Sequence, residues 1–180
     1  MTPALGTEDA MSNEESLPPL ADLPVGRFAG REAFQQIVRD AFAHAARQGW
    51  REMVISDSTF SDWPLHERAV TQSLQDWSHS GRRFTMVAMR YDDVLRSQAR
   101  FVTWRKTWAH IIDCRLSRQS DALDFPSGIW SPQWCMQRLD LPRCTGMCGG
   151  EPERLVQWRE VLGELLRQST PGFPATVLGL

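Results

Sequence analysis

The sequence predicts an α/β fold with a mostly parallel central sheet flanked by helices, followed by a C-terminal helix and an apolar tail. Three observations predict it. Short apolar runs begin near Met53, Phe84 and His110. Stretches of helical period separate them at crossover length. Strands joined by helices of that length lie parallel, because a tight hairpin can join only antiparallel neighbours.

Residues 1–26 hold Glu8, Asp9, Glu14, Glu15 and Asp22, four prolines and no basic side chain, and are expected to form a disordered acidic arm. Residues 27–168 are expected to form one α/β domain, and 169–180 an apolar tail. From Gly30 to Gln48, Phe34, Ile37, Val38, Ala41 and Ala45 share a helical face, and Gly49 ends the helix. Glu52 to Ser56 reads as a buried strand that opens into the polar loop Asp57 to Asp62. Asp62-Trp63-Pro64 reads as a helix start, with His66, Val70, Leu74 and Trp77 on the buried face.

Phe84 to Met89 is the second strand, and a helix is expected from about Val94 to Trp108. His110 to Leu116 is the third strand. Gly128 to Trp130 and Trp134 to Leu139 read as two short strands around Pro132, Cys144 to Gly150 as a Gly-rich loop, and Glu151 to Arg167 as a helix. Of the eight tryptophans, Trp130 and Trp134 are the expected exposed ones.

The 20 basic residues comprise 19 arginines and Lys106, and no Gly-rich turn precedes that lysine. P-loop, kinase and pyridoxal chemistry therefore have no anchor. Gly-x-Ser-x-Gly and His-Glu-x-x-His are also absent. No cofactor is expected. With no apolar run of spanning length and no leader pattern, the expectation is a cytoplasmic protein without membrane attachment.

The stretch from Phe34 to Arg115 is similar to the small α/β half-domain of the phospholipase D-like superfamily. It most resembles short uncharacterised proteobacterial proteins built on that plan. The residues that carry the likeness are Ile55-Ser56-Asp57, Trp63-Pro64-Leu65, Arg90-Tyr91-Asp92 and Arg100 to Arg105. The superfamily's His-x-Lys motif is missing: the residues two places after the four histidines are Ala46, Arg68, Gly81 and Ile112. The resemblance implies a fold, an affinity for phosphate-bearing ligands and the pairing of two half-domains, with no catalytic residue carried over.

Ligands of open α/β sheets bind beyond the carboxyl ends of the strands. That rule selects Ser58, Thr59, Arg90 and Asp92 as candidates for binding a small anion, with Asp57 and His66 as candidate catalytic groups. The competing reading makes Asp62 and Asp92 helix caps and His66 a core histidine. Cys144 and Cys148 have the spacing of a zinc-ligand pair but lack two further ligands. Nine basic residues between Arg82 and Arg118, interleaved with aromatics, allow a single-stranded nucleic-acid reading, which the near-neutral total charge opposes. The leading expectation is a non-catalytic binding or interaction module; the alternatives are an enzyme acting on a phosphate-bearing substrate and a single-strand binder. The apolar tail is expected to pack on its own domain or against an unknown protein or a second copy in a homodimer.

Overall fold

The structure is a computed structural model that describes residues 22–80, 82–118 and 121–174. Most of the acidic arm and the end of the apolar tail therefore lie outside the described residues. In chain order the elements are β1 (Gly26–Ala29), α1 (Arg31–Gln48), β2 (Glu52–Ser56), α2 (Arg68–Ser78), β3 (Arg83–Ala88), α3 (Asp92–Ser97), α4 (Ala99–Thr107) and β4 (Ile112–Leu116). Then follow β5 (Ser127–Trp130), β6 (Cys135–Asp140), β7 (Thr145–Gly149), α5 (Pro152–Arg167) and β8 (Thr170–Pro171).

The eight strands form one sheet in the order β1-β7-β6-β5-β2-β3-β4-β8. The expected parallel core is present as β2, β3 and β4, with Met53 opposite Phe84 and Phe84 opposite Ile112. The sheet is nevertheless not mostly parallel, because the other five pairings are antiparallel. Crossover helices end at β4. The strands from β5 to β7 are joined by short turns, which permit only antiparallel neighbours.

Side chains alternate across the sheet, as strand geometry requires. Met53, Ile55, Phe84, Met86, Ile129 and Met136 face the core built with α1, α2 and α4. Val54, Val87, Trp130 and Cys135 face the opposite side, where Trp158, Leu162 and Leu165 of α5 cover them. The helix α1 buries Phe34, Ile37, Val38, Ala41, Phe42 and Ala45 and stops at Gly49, whose left-handed φ of 63° lets its N–H reach the carbonyl of Ala45.

Several local expectations change. The helix α2 begins at Arg68 instead of Asp62, since two turns (Trp63 N–H to Phe60 and Glu67 N–H to Pro64) occupy the intervening chain. His66 sits in that turn and is exposed instead of buried. The single helix expected after Val94 is broken at Gln98, which leaves helical geometry with ψ 52° and donates from its amide to the Phe60 carbonyl at 2.7 Å. Cys144 to Gly150 contains strand β7 instead of a loop. Glycine is needed at 146 because a Cβ there would lie 2.1 Å from the Gln137 carbonyl and 2.6 Å from the Phe28 ring.

Trp130 and Trp134 are buried, not exposed; each indole N–H donates to a backbone carbonyl, of Leu155 and Pro24 respectively. Ahead of β1, Leu23 packs on the core. The described part of the tail, Ser169–Pro174, lies on its own domain: Phe173 stacks on Tyr91 at 4.8 Å, and Gly172 N–H bonds to Cys114. No helix of the described residues is long and apolar enough to cross a membrane.

Candidate functional site

The polar loop after β2 leads into the interior instead of forming an open crevice. Asp57 is 2% exposed. One of its oxygens accepts the backbone N–H groups of Thr59 and Phe60, at 3.1 and 2.8 Å. The other accepts the Ser127 hydroxyl at 2.6 Å and the Arg138 guanidinium at 2.5 Å. Four donors use the carboxylate's acceptor capacity. Arg138, on β6, also pairs with Asp62 and lies over the Phe34 ring, 4.0 Å from its centroid. Burial works against the charged guanidinium; Asp57 and Asp62 outweigh it and hold its pKa above the ordinary value. This cluster pins the loop after β2 to strands β5 and β6.

The other sequence candidates lie apart from it. Among the described residues, none of Asp57, His66 and Arg90 is hydrogen-bonded to another. The backbone carbonyl of His66 accepts from Arg100 at 3.0 Å. Ser58 is buried, and its carbonyl receives the N–H groups of Met89 and Arg90. Thr59 is half-buried, and its hydroxyl meets Ser61. Arg90 and Asp92, both exposed, line a cavity of about 350 Å³ with Leu95, Leu116, Arg118 and Phe173.

Cys144 sits beside Asp62 and Arg138 with its backbone at φ 49°. Cys148 lies on the inner face of β7, where burial pushes its thiol up to about 12. No cluster of three or more His, Cys, Asp or Glu side chains suited to a metal forms among the described residues.

A second concentration of charge lies elsewhere. The helix α5 covers Val54, Val87, Trp130 and Cys135 but leaves the same face open where β3 and β4 begin. The result is a groove of about 890 Å³ at the start of the parallel strands. Six arginines (Arg51, Arg82, Arg83, Arg115, Arg159 and Arg167) and His110 line it, against Glu52 and Asp113. Glu52 is engaged by Arg159 at 3.3 Å. Arg115 donates to the hydroxyl and carbonyl of Ser169, and Arg167 pairs with Glu164. Arg51, Arg83 and His110 are exposed. Converging guanidinium groups offer planar forks to phosphate or carboxylate oxygens.

Sequence reasoning had placed Arg82, Arg83 and Arg115 in a basic stretch but not in a groove. It missed Arg51, Arg159, Arg167 and Arg138, which come from separate elements. The only sequence signal for Arg138 is a charge at an inward position of an alternating strand.

No protein-family model matches the chain, and no curated protein sequence matches it. Solved structures do. TrmBL2, an archaeal chromatin protein whose structure shows a novel mode of DNA binding, superposes with a TM-score of 0.61 at 11% identity, over 88% of this chain. The chain spans 57% of that protein. The phospholipase D family member Nuc from Salmonella typhimurium gives 0.55 at 8% identity, over 82% of this chain and 98% of its own. Phosphatidylserine synthase from Haemophilus influenzae gives 0.51 at 15% identity, over 81% of this chain and 39% of its own. The chain thus has a phospholipase D-like fold; at these identities the likeness is one of fold alone.

Proposed function

We propose that the protein is a non-catalytic binding module that takes a phosphate-bearing ligand in the groove beside α5. The observation that carries this reading is the convergence of six arginines on one open groove with only two carboxylates in its lining. Arg159 and Arg167 are paired with Glu52 and Glu164, and an anion in the groove would offset the mutual repulsion of the remaining cations. The arrangement around Asp57 supports the non-catalytic half of the reading: its four donors leave it no proton to take, and His66 lies outside its hydrogen bonds.

A second reading, the phosphate backbone of a nucleic acid, is favoured by the same groove and by the likeness to a DNA-binding chromatin protein. Its lining contains no Phe, Tyr or Trp, and His110 is its one ring on which an unpaired base would stack. Backbone contacts would then supply most of the affinity.

The test is titration of inorganic tripolyphosphate into the full chain and into Arg51→Glu/Arg83→Glu. Both sites are exposed, so folding should hold by circular dichroism. Affinity is expected to fall on the order of tenfold or more in the variant. Unchanged affinity would overturn the reading. A labelled oligonucleotide in the same assay, with a steep loss of affinity in salt, separates the second reading from the first.

A further inference from the structure

We infer that the acidic segment 1–21 of this chain docks into the arginine groove and competes with its ligand. The inference rests on the groove being the ligand site and adds a built-in occupant. Charge complementarity is the first argument. The segment carries Glu8, Asp9, Glu14 and Glu15 and no Lys, Arg or His, whereas the groove presents six arginines against two carboxylates.

The place where the segment joins the body is the second. Strand β1 is antiparallel to β7, and the alternation through β6 and β5 makes it run in the same direction as β2 and β3. The chain therefore approaches β1 from the end of the sheet where β2, β3 and β4 begin, the end that carries Arg51, Arg82, Arg83 and His110, and Gly26 itself is level with Ile55. The entering chain is held near that end, on the face of the sheet opposite α5, where Leu23 packs on the core. The Pro24 carbonyl accepts the Trp134 indole N–H at 2.9 Å, and Trp134 stacks on Trp50 at 6.3 Å, next to Arg51.

Reach is the third argument. Four strand steps separate β1 from β2 and five separate it from β3, about 19 and 24 Å at about 4.8 Å per step. Counted back from Leu23, Glu15 can extend about 27 Å and Glu8 about 50 Å, at about 3.4 Å per residue. Glu14 and Glu15 thus reach the near wall at Arg51, and Glu8 and Asp9 reach Arg83 beyond it even along a curved path. Tethering places the carboxylates at a high effective concentration, so weak individual pairs suffice to compete. The contact is between exposed charges and is therefore screened by salt.

The experiment uses the full chain throughout. A nitroxide is attached at Ser12→Cys, where the introduced thiol is selectively labelled because the four native thiols are buried. Docking predicts paramagnetic broadening of the amides of Arg51, Arg82, Arg83 and His110 at low salt. The broadening should vanish in 0.5 M salt, which shortens the screening length to roughly 4 Å. It should also vanish when Glu8→Gln, Asp9→Asn, Glu14→Gln and Glu15→Gln are introduced together. In parallel, the four-fold neutral variant should bind inorganic tripolyphosphate several-fold to about tenfold more tightly than the unmodified chain at low salt, with the difference closing in high salt.

Absent broadening, broadening that survives neutralisation, or equal tripolyphosphate affinities would each overturn the docking. If the neutral variant fails to bind tripolyphosphate at all, the ligand reading of the groove fails instead, and the broadening still decides whether the segment lies there.

Discussion

Replacing Arg138 by Met tests whether the buried ion cluster holds the loop after β2. Its guanidinium side chain is 2% exposed, that of Asp57 is 3% and that of Asp62 is 22%. In Arg138→Met, Asp62 can turn toward water, but Asp57 remains sealed with only Ser127 and two backbone N–H groups as partners. Removing one partner of a buried pair costs about 3–5 kcal/mol, because the remaining charge stays desolvated. The cation–π contact with Phe34 at 4.0 Å is lost as well, a further contribution of about 0.5–2 kcal/mol. Methionine fills much of the vacated volume, which limits any cavity term. A total of about 3.5–7 kcal/mol corresponds to a fall in Tm of roughly 7–28 °C at this chain length. Urea denaturation followed by tryptophan fluorescence measures it directly. The decisive comparison is Asp57→Asn/Arg138→Met, in which no charge is left at position 57. The double variant should be more stable than Arg138→Met alone by about 1 kcal/mol or more. A loss below about 1 kcal/mol in the single variant, or a double variant whose losses simply add, would refute the argument.

The three thiols that burial pushes up, Cys114 and Cys135 to about 11 and Cys148 to about 12, should react slowly with a disulfide reagent at pH 8 and at once in denaturant. Fast native reaction at all three would show the core to be looser than described. Because their folded values are raised above the ordinary 9.0, their contribution to stability is complete below pH 9 and is lost progressively as pH climbs toward 12, which alkaline melting curves would display. Glu67 is shifted the other way: its hydrogen bonds to Arg39, partly offset by burial, hold it below the ordinary 4.5. Wild type should therefore exceed Arg39→Gln by up to about 1 kcal/mol at pH 7 and lose that advantage as pH falls below 4.5 and through the depressed value; a difference that persists at pH 2 would contradict the pairing. Leu162→Ala, which empties a fully buried position under α5, should cost about 2–5 kcal/mol by urea denaturation, whereas Val161→Ala at its exposed neighbour should cost less than about 1.

How much of this was legible in the sequence depended on where the controlling interaction lay. The three parallel strands and their helices were legible because each is set by its own hydrophobic period: Met53 and Ile55 alternate with Val54, and Phe34 to Ala45 recur at helical spacing. Strand β7 was not. Its Thr-Gly-Met-Cys-Gly reads as a loop until the close approach of Gln137 and Phe28 explains why residue 146 carries no side chain. The start of α2 was misplaced because a capping Asp followed by Trp-Pro is equally good chemistry for a turn, and Asp62 spends its carboxylate on Arg138, a residue 76 positions away. The buried ion cluster and the groove depend on such distant partners, which no local pattern encodes. Asp57, a catalytic candidate from its place at a strand end, is buried and hydrogen-bonded to Thr59, Phe60, Ser127 and Arg138.

The same physics separates the two concentrations of charge in this molecule. Around Arg138, one guanidinium faces two carboxylates, a hydroxyl and an aromatic face, and its charge is paired within the cluster. Beside α5, six guanidinium groups line an open groove with two carboxylates, and among the described residues only Arg159 and Arg167 of the six are in ion pairs, with Glu52 and Glu164. Stability alone would drive the second arrangement toward the first: a few acidic side chains on β3 or β4 would pair Arg51, Arg82 and Arg83 and relieve their repulsion. Strand β4 presents one, Asp113 opposite Thr85 of β3, and no other carboxylate of these two strands lines the groove; the chain's further acid lies at Glu8, Asp9, Glu14 and Glu15. The domain thus leaves this groove with a surplus of positive charge, which fits the proposed anion-binding site.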